Sequence, residues 1–235
     1  YDKGQATTAS AGIICPWVSQ RRNKKWYRLV QEGARYYPDF IQELEETTGQ
    51  FTGYKRNGAI CLFKDERIQQ LAYERISAKQ DGSPEMGDVY KLTKAEVKEM
   101  HPHLTDCYPA VFVEGGGQIR GESLLSALKE GIRLHGGKWI QQAIKPEEAE
   151  GTVIYAAGAY YQTPLVRHQR AELLHLKLDD EYQSKETPVV MGLGPMYIVG
   201  TEHSQFAIGT THEDTEEFSV APSEENQQYL HHEAM

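Results

Sequence analysis

The chain has 235 residues, which is long enough to bury a substantial core in one or two domains. Hydrophobic residues make up 39% of it and charged residues 25%, as in ordinary soluble globular proteins. The net charge of −9 argues against a nucleic-acid partner, because phosphate binding needs clustered Lys and Arg. No apolar run reaches the length of a membrane span, so we expect no membrane-spanning segment.

Residues 1–17 combine an early acidic residue with a run of small and hydroxylated ones. Gly, Ala, Ser and Thr leave main-chain N–H groups uncovered, and the hydroxyls add further donors. Such a backbone can hold an anion without a basic side chain. An acid placed like Asp2 can accept hydrogen bonds from a ribose diol. The segment therefore suits a phosphorylated ligand, although small-residue loops are more often plain connections.

The next stretches predict a long helix and a hairpin. Asn23 is expected to cap the helix and Gly49 to end it, while Pro38 should bend it or break it in two. The stretch from Tyr54 to Phe63 encloses Asn57-Gly58, which is the strongest short hairpin signal.

Helical and strand patterns alternate from there to the end. The further predicted helices are Asp65 to Lys79, a short one opened by the capping box Thr93-Lys94-Ala95-Glu96, Glu122 to His135, and one starting at Pro222-Ser223. The predicted strands are Ala110 to Glu114, Lys138 to Ile140, Thr152 to Ala157, Glu172 to Leu178, Pro188 to Met191, Met196 to Val199 and Phe206 to Thr210. This interleaving favours an α/β fold with an added antiparallel sheet.

Cysteines and histidines are sparse and widely spaced. Because Cys15, Cys61 and Cys107 form no C-x-x-C motif, we expect reduced thiols in a cytoplasmic protein. His101-x-His103, His212-Glu213-Asp214 and His231-His232 lack the helical spacing of metal-binding histidines, so we predict no metal site.

Four motifs follow one another in a fixed order along the chain. They are Asp2-Lys3-Gly4 with the small residues up to Trp17, Gly115-Gly116-Gly117-Gln118-Ile119 with the helix after it, Thr152-Val153-Ile154-Tyr155-Ala156-Ala157-Gly158-Ala159-Tyr160, and Tyr197-Ile198-Val199 with Ile208-Gly209-Thr210-Thr211-x-Glu213-Asp214. The ordered set resembles FAD-dependent oxidoreductases of the D-amino-acid oxidase/glycine oxidase family. The fourth motif is similar to the family's hairpin Tyr-hydrophobic-Val … Gly-Ala-Thr-x-Glu-Asp.

The resemblance implies FAD as cofactor and an α/β fold. An incomplete Rossmann-like FAD-binding domain would join a second, mainly antiparallel-sheet substrate domain. Residues 1–53, 120–165 and 212–235 would belong to the former, and residues 54–119 and 166–211 to the latter. The implied activity is oxidation of a small amine or amino acid, of the D-amino acid, glycine or sarcosine type, by hydride transfer to the flavin.

The resemblance also implies site residues. The cofactor-binding set is Asp2 at the ribose, Lys3 beside the adenosine, Thr7, Thr8, Ser10, Ala11, Gly12 and Ile13 along the pyrophosphate and flavin, and Ala157 and Gly158 from the later strand. Tyr197 would be the catalytic residue and would donate a hydrogen bond to a substrate carboxylate or carbonyl. Its alternative interpretation is a half-buried strand tyrosine.

The chain departs from the family in several places. A first strand with a G-x-G-x-x-G turn and a C-terminal segment with a substrate-binding arginine have no counterpart, so we expect a partial chain. Ala171, in Arg170-Ala171-Glu172, stands where the family has glycine, which questions a close backbone approach there.

Two other functions remain open at this stage. One is an NAD(P)-dependent enzyme that uses the turn Gly115-x-Gly117-x-x-x-Gly121, although this spacing is not G-x-G-x-x-G. The other is a catalytically inactive binding module with a family-like fold. The expected partner is a small amine or amino-acid substrate, and the sequence leaves homo-oligomerisation open.

Overall fold

The computed structural model describes residues 6–105, 108–142, 144–160, 167–179, 181, 186–202, 204–215 and 219–234. Asp2, Lys3 and Cys107, which carry sequence predictions, lie outside these ranges. The α-helices of the described part are α1 (Ala6–Ala9), α2 (Lys24–Thr48), α3 (Glu66–Ser77), α4 (Lys94–Met100), α5 (Gly121–Leu134) and α6 (Glu224–Ala234). Within the same ranges, no helix is both long and apolar enough to cross a membrane.

The strands are short and mostly antiparallel. They are β1 (Ile13–Ile14), β2 (Ala59–Leu62), β3 (Val89–Leu92), β4 (Ala110–Val113), β5 (Gly117–Gln118), β6 (Gln169–Arg170), β7 (Leu173–Lys177), β8 (Val189–Met191), β9 (Tyr197–Glu202), β10 (Gln205–Gly209) and β11 (Glu213–Asp214). Among the described residues, seven of them form one sheet in the order β3-β4-β2-β8-β9-β10-β7. In this sheet β2 and β8 run parallel, whereas the other neighbours are antiparallel. The pairs β1-β5 and β6-β11 lie apart from it.

Both faces of the large sheet are covered, which explains why every residue of β2 is buried. Ala59 belongs to a cluster with Trp17 and Ile76, whereas Ile60 belongs to a second cluster with Val97 on the opposite face. Successive residues of a strand point to opposite faces, so two covered faces require a continuous apolar run. The mixed α/β class is therefore confirmed.

Helix α2 confirms both predicted ends and corrects the predicted break. The side chain of Asn23 accepts a hydrogen bond from the Trp26 N–H at 3.0 Å, and Gly49 ends the helix with φ of 65°. The helix nevertheless continues through Pro38. Ala34 before the proline and Ile41 after it are both buried, so packing on each side of Pro38 holds one helix together.

The predicted hairpin around Asn57-Gly58 is wrong. The Gly58 N–H donates to the Gly116 carbonyl at 2.8 Å, and the Asn57 side chain donates to the Thr187 carbonyl. Lys55 pairs with Gln118 instead of with β2. At Asn57-Gly58 the chain passes from the bridge between Lys55 and β5 into β2 of the large sheet. The hydrogen bonds of these two residues therefore go to other segments and not across a hairpin.

The strands predicted at Lys138 to Ile140 and at Thr152 to Ala157 do not form in the described structure. Trp139, Ile140 and Ile154 are exposed by 62%, 70% and 85%. A strand needs a neighbour to accept its backbone hydrogen bonds, and no strand lies beside these residues in the described ranges. These stretches are apolar as predicted, but the described part of the chain offers no strand for them to pair with.

Candidate functional site

A cleft of about 610 Å³ opens where the N-terminal segment meets one end of the sheet. Small-molecule sites have volumes of roughly 300–1,000 Å³, so this cleft is large enough for a ligand. One wall consists of small residues, namely Ala6, Ala9, Ser10, Ala11 and Ala159. The opposite wall comes from β6, β7, β9, the residues on either side of β11 and the start of α6. It includes Arg170, Glu172, Tyr197, Thr210, His212 and Gln227.

The cleft brings together only part of the predicted site. Ser10, Ala11 and Tyr197 line it, although they are far apart in sequence. Ala157 and Gly158 are exposed and do not line it, but their neighbour Ala159 does. The other predicted residues are elsewhere: Thr7 and Thr8 are exposed on α1, Gly12 and Ile13 pack beside β5, and Asp2 and Lys3 are outside the described ranges.

Packing within the protein requires glycine at position 12. Its φ is +71°, and a Cβ there would lie 1.8 Å from the Ile119 carbonyl oxygen. The Ile119 N–H donates to the Gly12 carbonyl at 2.9 Å. The sequence suggested that a ligand approaches the backbone closely here. At Gly12 the structure shows that β5 makes this close approach instead, by pairing with β1.

The glycine turn before α5 is packed in the same way. A Cβ at Gly115 would lie 2.2 Å from the Glu85 carbonyl oxygen, and one at Gly117 would lie 2.1 Å from that of Lys55. A Cβ at Gly121 would lie 1.8 Å from the Thr7 carbonyl oxygen. Because protein backbone fills these positions, a dinucleotide cannot approach the turn as it approaches a G-x-G-x-x-G loop.

The small-residue wall fits a flat cofactor with a polar tail. Its side chains project little into the cleft, and Ser10 keeps its hydroxyl close to the main chain by donating to the Thr7 carbonyl at 2.9 Å. Next to this wall, a Cβ at Gly158 would meet nothing within 4 Å, so the main chain faces open space. A main chain left open in this way allows the phosphates and ring edges of a nucleotide cofactor to approach it closely.

Tyr197 begins β9 and is half-buried in the opposite wall. Burial raises the pKa of its phenol, which therefore stays protonated at neutral pH. A Cβ at Gly209 would lie 3.3 Å from the Tyr197 hydroxyl oxygen. The ring therefore lies over the backbone of β10, where the absence of a side chain at Gly209 makes room for it.

Glu172 fastens α6 to this wall. It is buried, and its carboxylate accepts from the Ser223 N–H at 3.1 Å, from Asn226 at 3.0 Å and from Gln227 at 3.2 Å. Arg170 donates to it at 2.7 Å. Burial alone raises the pKa of Glu172, but these hydrogen bonds and the Arg170 charge outweigh burial and hold the pKa below its usual value.

Sequence reasoning missed much of the second wall. Gln227 belongs to no motif, and Glu172 was noted only as the last residue of the Arg170-Ala171-Glu172 turn. His212 was considered only as part of a possible metal-binding run. His101, from the other histidine pair, is buried against Phe206 with a ring separation of 5.5 Å and does not line the cleft. In the described part of the chain, no group of three His, Cys, Asp or Glu is arranged to hold a metal.

Comparison with known proteins agrees with the sequence resemblance. The family described as "FAD dependent oxidoreductase" matches residues 2–235. The chain is 34% identical over 236 residues to the uncharacterized oxidoreductase YurR of Bacillus subtilis (strain 168), covering 91% of this chain and 63% of that protein. The chain thus spans less than two thirds of that relative.

Two solved structures share the fold. Iminodiacetate oxidase from Chelativorans sp. BNC1 superposes with a TM-score of 0.81 at 27% identity, over 98% of this chain and 69% of that one. Glycine oxidase from Geobacillus kaustophilus superposes with a TM-score of 0.77 at 21% identity, over 97% and 67%. Proteins of this family use FAD. The chain belongs to the FAD-dependent oxidoreductase family of D-amino-acid oxidase and glycine oxidase.

Proposed function

We propose that this protein binds FAD in the cleft and oxidises a small amine or amino acid. The observation that carries the proposal is the shared cleft, in which the small residues Ser10, Ala11 and Ala159 face Tyr197 and Thr210. Iminodiacetate oxidase supports the substrate class, since iminodiacetate is itself a small amino acid.

In this proposal Ser10, Ala11 and Ala159 hold the flavin, and Ala157 and Gly158 extend the same wall. Asp2 and Lys3 would contact the ribose and adenosine, with Thr7, Thr8, Gly12 and Ile13 nearby. When bound, FAD would supply a hydride acceptor for the substrate carbon next to nitrogen, and water would hydrolyse the imine product. Tyr197 orients the substrate, and α6, fastened by Glu172, limits access of water from that side.

The domain division proposed from the sequence agrees with where the large sheet lies. Each of its strands falls within residues 54–119 or 166–211. The cleft lies between this sheet and the small-residue segment. The free thiols of Cys15 and Cys61 support a cytoplasmic location.

The test is titration of the whole chain with FAD, followed by visible flavin absorbance after removal of free cofactor. Ala159→Phe should abolish binding, because the ring would fill the cleft beside Ser10. Ala156→Phe is the matched control, since Ala156 is exposed and does not line the cleft. Absence of flavin from the folded wild type, or equal binding by both variants, would contradict the proposal.

Reduction of bound flavin by small amines and amino acids then separates an enzyme from a binding module. The proposal expects bleaching of the flavin band under anaerobic conditions by at least one member of a panel of glycine, sarcosine, iminodiacetate and D-amino acids. A folded, flavin-loaded protein that none of them bleaches would favour the inactive module.

A further inference from the structure

A second, smaller pocket lies at the far end of β9 from the cleft. Tyr197 begins β9 and lines the cleft, whereas Thr201 and Glu202 end the strand and line this pocket. The other residues that line it are Phe51, Gly53, Lys55, Gln118 and Arg120. Among the described residues, none lines both the cleft and this pocket. Its volume is about 180 Å³, below the roughly 300 Å³ at which sites for drug-sized ligands begin, so it suits a ligand of only a few heavy atoms.

Gln118, in β5, bridges two segments that line this pocket. Its backbone N–H and carbonyl pair with those of Lys55, and its side-chain N–H donates to the Gly200 carbonyl of β9 at 2.7 Å. Gln118 is 5% exposed, and its side-chain oxygen Oε1 is buried without a hydrogen-bond partner among the described residues. A buried amide oxygen without a donor is unfavourable. A ligand that donates an N–H to Oε1 therefore forms a bond that the free protein lacks.

Opposite charges line the same pocket. Nη1 of Arg120 lies 2.9 Å from Oε1 of Glu202, and the two side chains are 47% and 50% exposed. An ion pair this exposed contributes little stability, so it can open to a ligand at small cost. The stem of Arg120 packs on the backbone of Gly53, where a Cβ would lie 2.6 Å from its Cγ. Lys55, the other cation of the pocket, is paired with Glu186 at 2.5 Å. One carboxylate and one cation thus face a ligand together.

We propose that this pocket binds the zwitterion of a small α-amino acid, at a site separate from the cleft. The ammonium group donates to Oε1 of Gln118 and to the carboxylate of Glu202, and the ligand carboxylate accepts from Arg120. An amine alone gives Arg120 no partner on the ligand, and a carboxylate alone gives Gln118 no donor. The ligand therefore carries both groups on a short carbon backbone. This site goes beyond the proposed function, because it needs neither flavin nor Tyr197.

Titration calorimetry on the whole chain tests the site, with α-aminoisobutyrate as the probe. This amino acid has no hydrogen on its α-carbon, so it has no hydride to transfer there and reports binding alone. We expect Arg120→Met to weaken its affinity by about tenfold or more, because the cation is lost while the stem over Gly53 remains. Arg133→Met is the matched control, since Arg133 forms an exposed ion pair with Glu130 and does not line the pocket. Equal affinity in the wild type and Arg120→Met, equal weakening by both variants, or no binding by the wild type would overturn the proposal.

The side-chain amide of Gln118 gives a second readout. Its N–H₂ signals in ¹⁵N-labelled protein are assigned by their loss in Gln118→Met, and α-aminoisobutyrate should shift them because a donor reaches Oε1 of the same amide. Methylamine and acetate, which each carry one of the two charged groups, should bind about tenfold more weakly or worse. Unmoved Gln118 signals, equal affinity for either half, or affinity lost in Tyr197→Phe but kept in Arg120→Met would overturn the proposal. A wild type that binds no flavin would contradict the proposed function alone, since these measurements use no flavin.

Discussion

At the scale of single residues, His101 is a buried histidine packed against Phe206. It is 2% exposed, and neither ring nitrogen has a partner among the described residues. Burial, reinforced by the nearby His103, lowers its pKa from 6.5 to about 4. The folded protein therefore holds this imidazole neutral at pH values where the unfolded chain protonates it.

This difference predicts an acid-sensitive stability. Since the folded pKa lies below the unfolded one, the stabilisation is complete above about pH 6.5 and is lost as the pH falls toward about 4. Between about pH 6.5 and pH 4, the free energy of unfolding of the wild type should fall by about 3 kcal/mol more than that of His101→Phe. The reason is that phenylalanine takes up no proton. Urea unfolding at a series of pH values measures it. His231→Phe is the control at an exposed histidine, and equal acid sensitivity in His101→Phe and the wild type would contradict the assignment.

At the scale of elements, helix ends could be predicted from the sequence because caps act locally. Asn23 and the Thr93 capping box satisfy N–H groups within three residues, so the pattern alone specifies them. The Asn57-Gly58 hairpin failed because the partners of these residues come from distant segments. Local signals therefore predicted elements well where the partner atoms were local.

Pro38 gives a prediction for α2. A proline inside a helix leaves the carbonyl four residues earlier without its usual donor. Because α2 is continuous there, Pro38→Ala restores that bond without changing the fold and should raise the free energy of unfolding by about 1–3 kcal/mol. Chemical denaturation measures it against the exposed neighbour Asp39→Ala. An unchanged or lower stability in Pro38→Ala would show that packing has adapted to the proline.

Glu172 gives a prediction for α6. Glu172→Gln removes the charge and puts an amide N–H₂ near Arg170 and Asn226, both of which are donors to the present carboxylate. Hydrogen exchange of the α6 amides should accelerate by about tenfold or more, because a buried charge-assisted contact is lost. Glu225→Gln, on the exposed face of α6, should leave exchange unchanged. Equal protection in both variants would contradict the fastening role of Glu172.

At the scale of the whole molecule, the described core is centred on the seven-stranded sheet. Ile60 is fully buried there, whereas Ile154 is 85% exposed. Ile60→Ala should lower the free energy of unfolding by about 2–4 kcal/mol, while Ile154→Ala should change it by less than about 0.5 kcal/mol. Thermal or chemical denaturation compares them, and a large loss in Ile154→Ala would show that this stretch is packed.

The same scale explains how far the candidate site could be predicted. The resemblance found Ser10, Ala11 and Tyr197, because their motifs are local in sequence, and the cleft brings them together. It gave no role to Glu172, and it could not find Gln227, which reaches the cleft through the packing of α6 on β7. The contact between the Thr210 hydroxyl and the Glu172 carbonyl joins two distant segments, which no spacing rule reveals.

The most direct measurement of the central claim is a crystal structure of this chain with FAD. We predict flavin density in the cleft, with its ring system between the Ser10-Ala11 wall and Tyr197. Flavin at the Gly115 turn, or a cleft left empty while FAD binds elsewhere, would contradict the account.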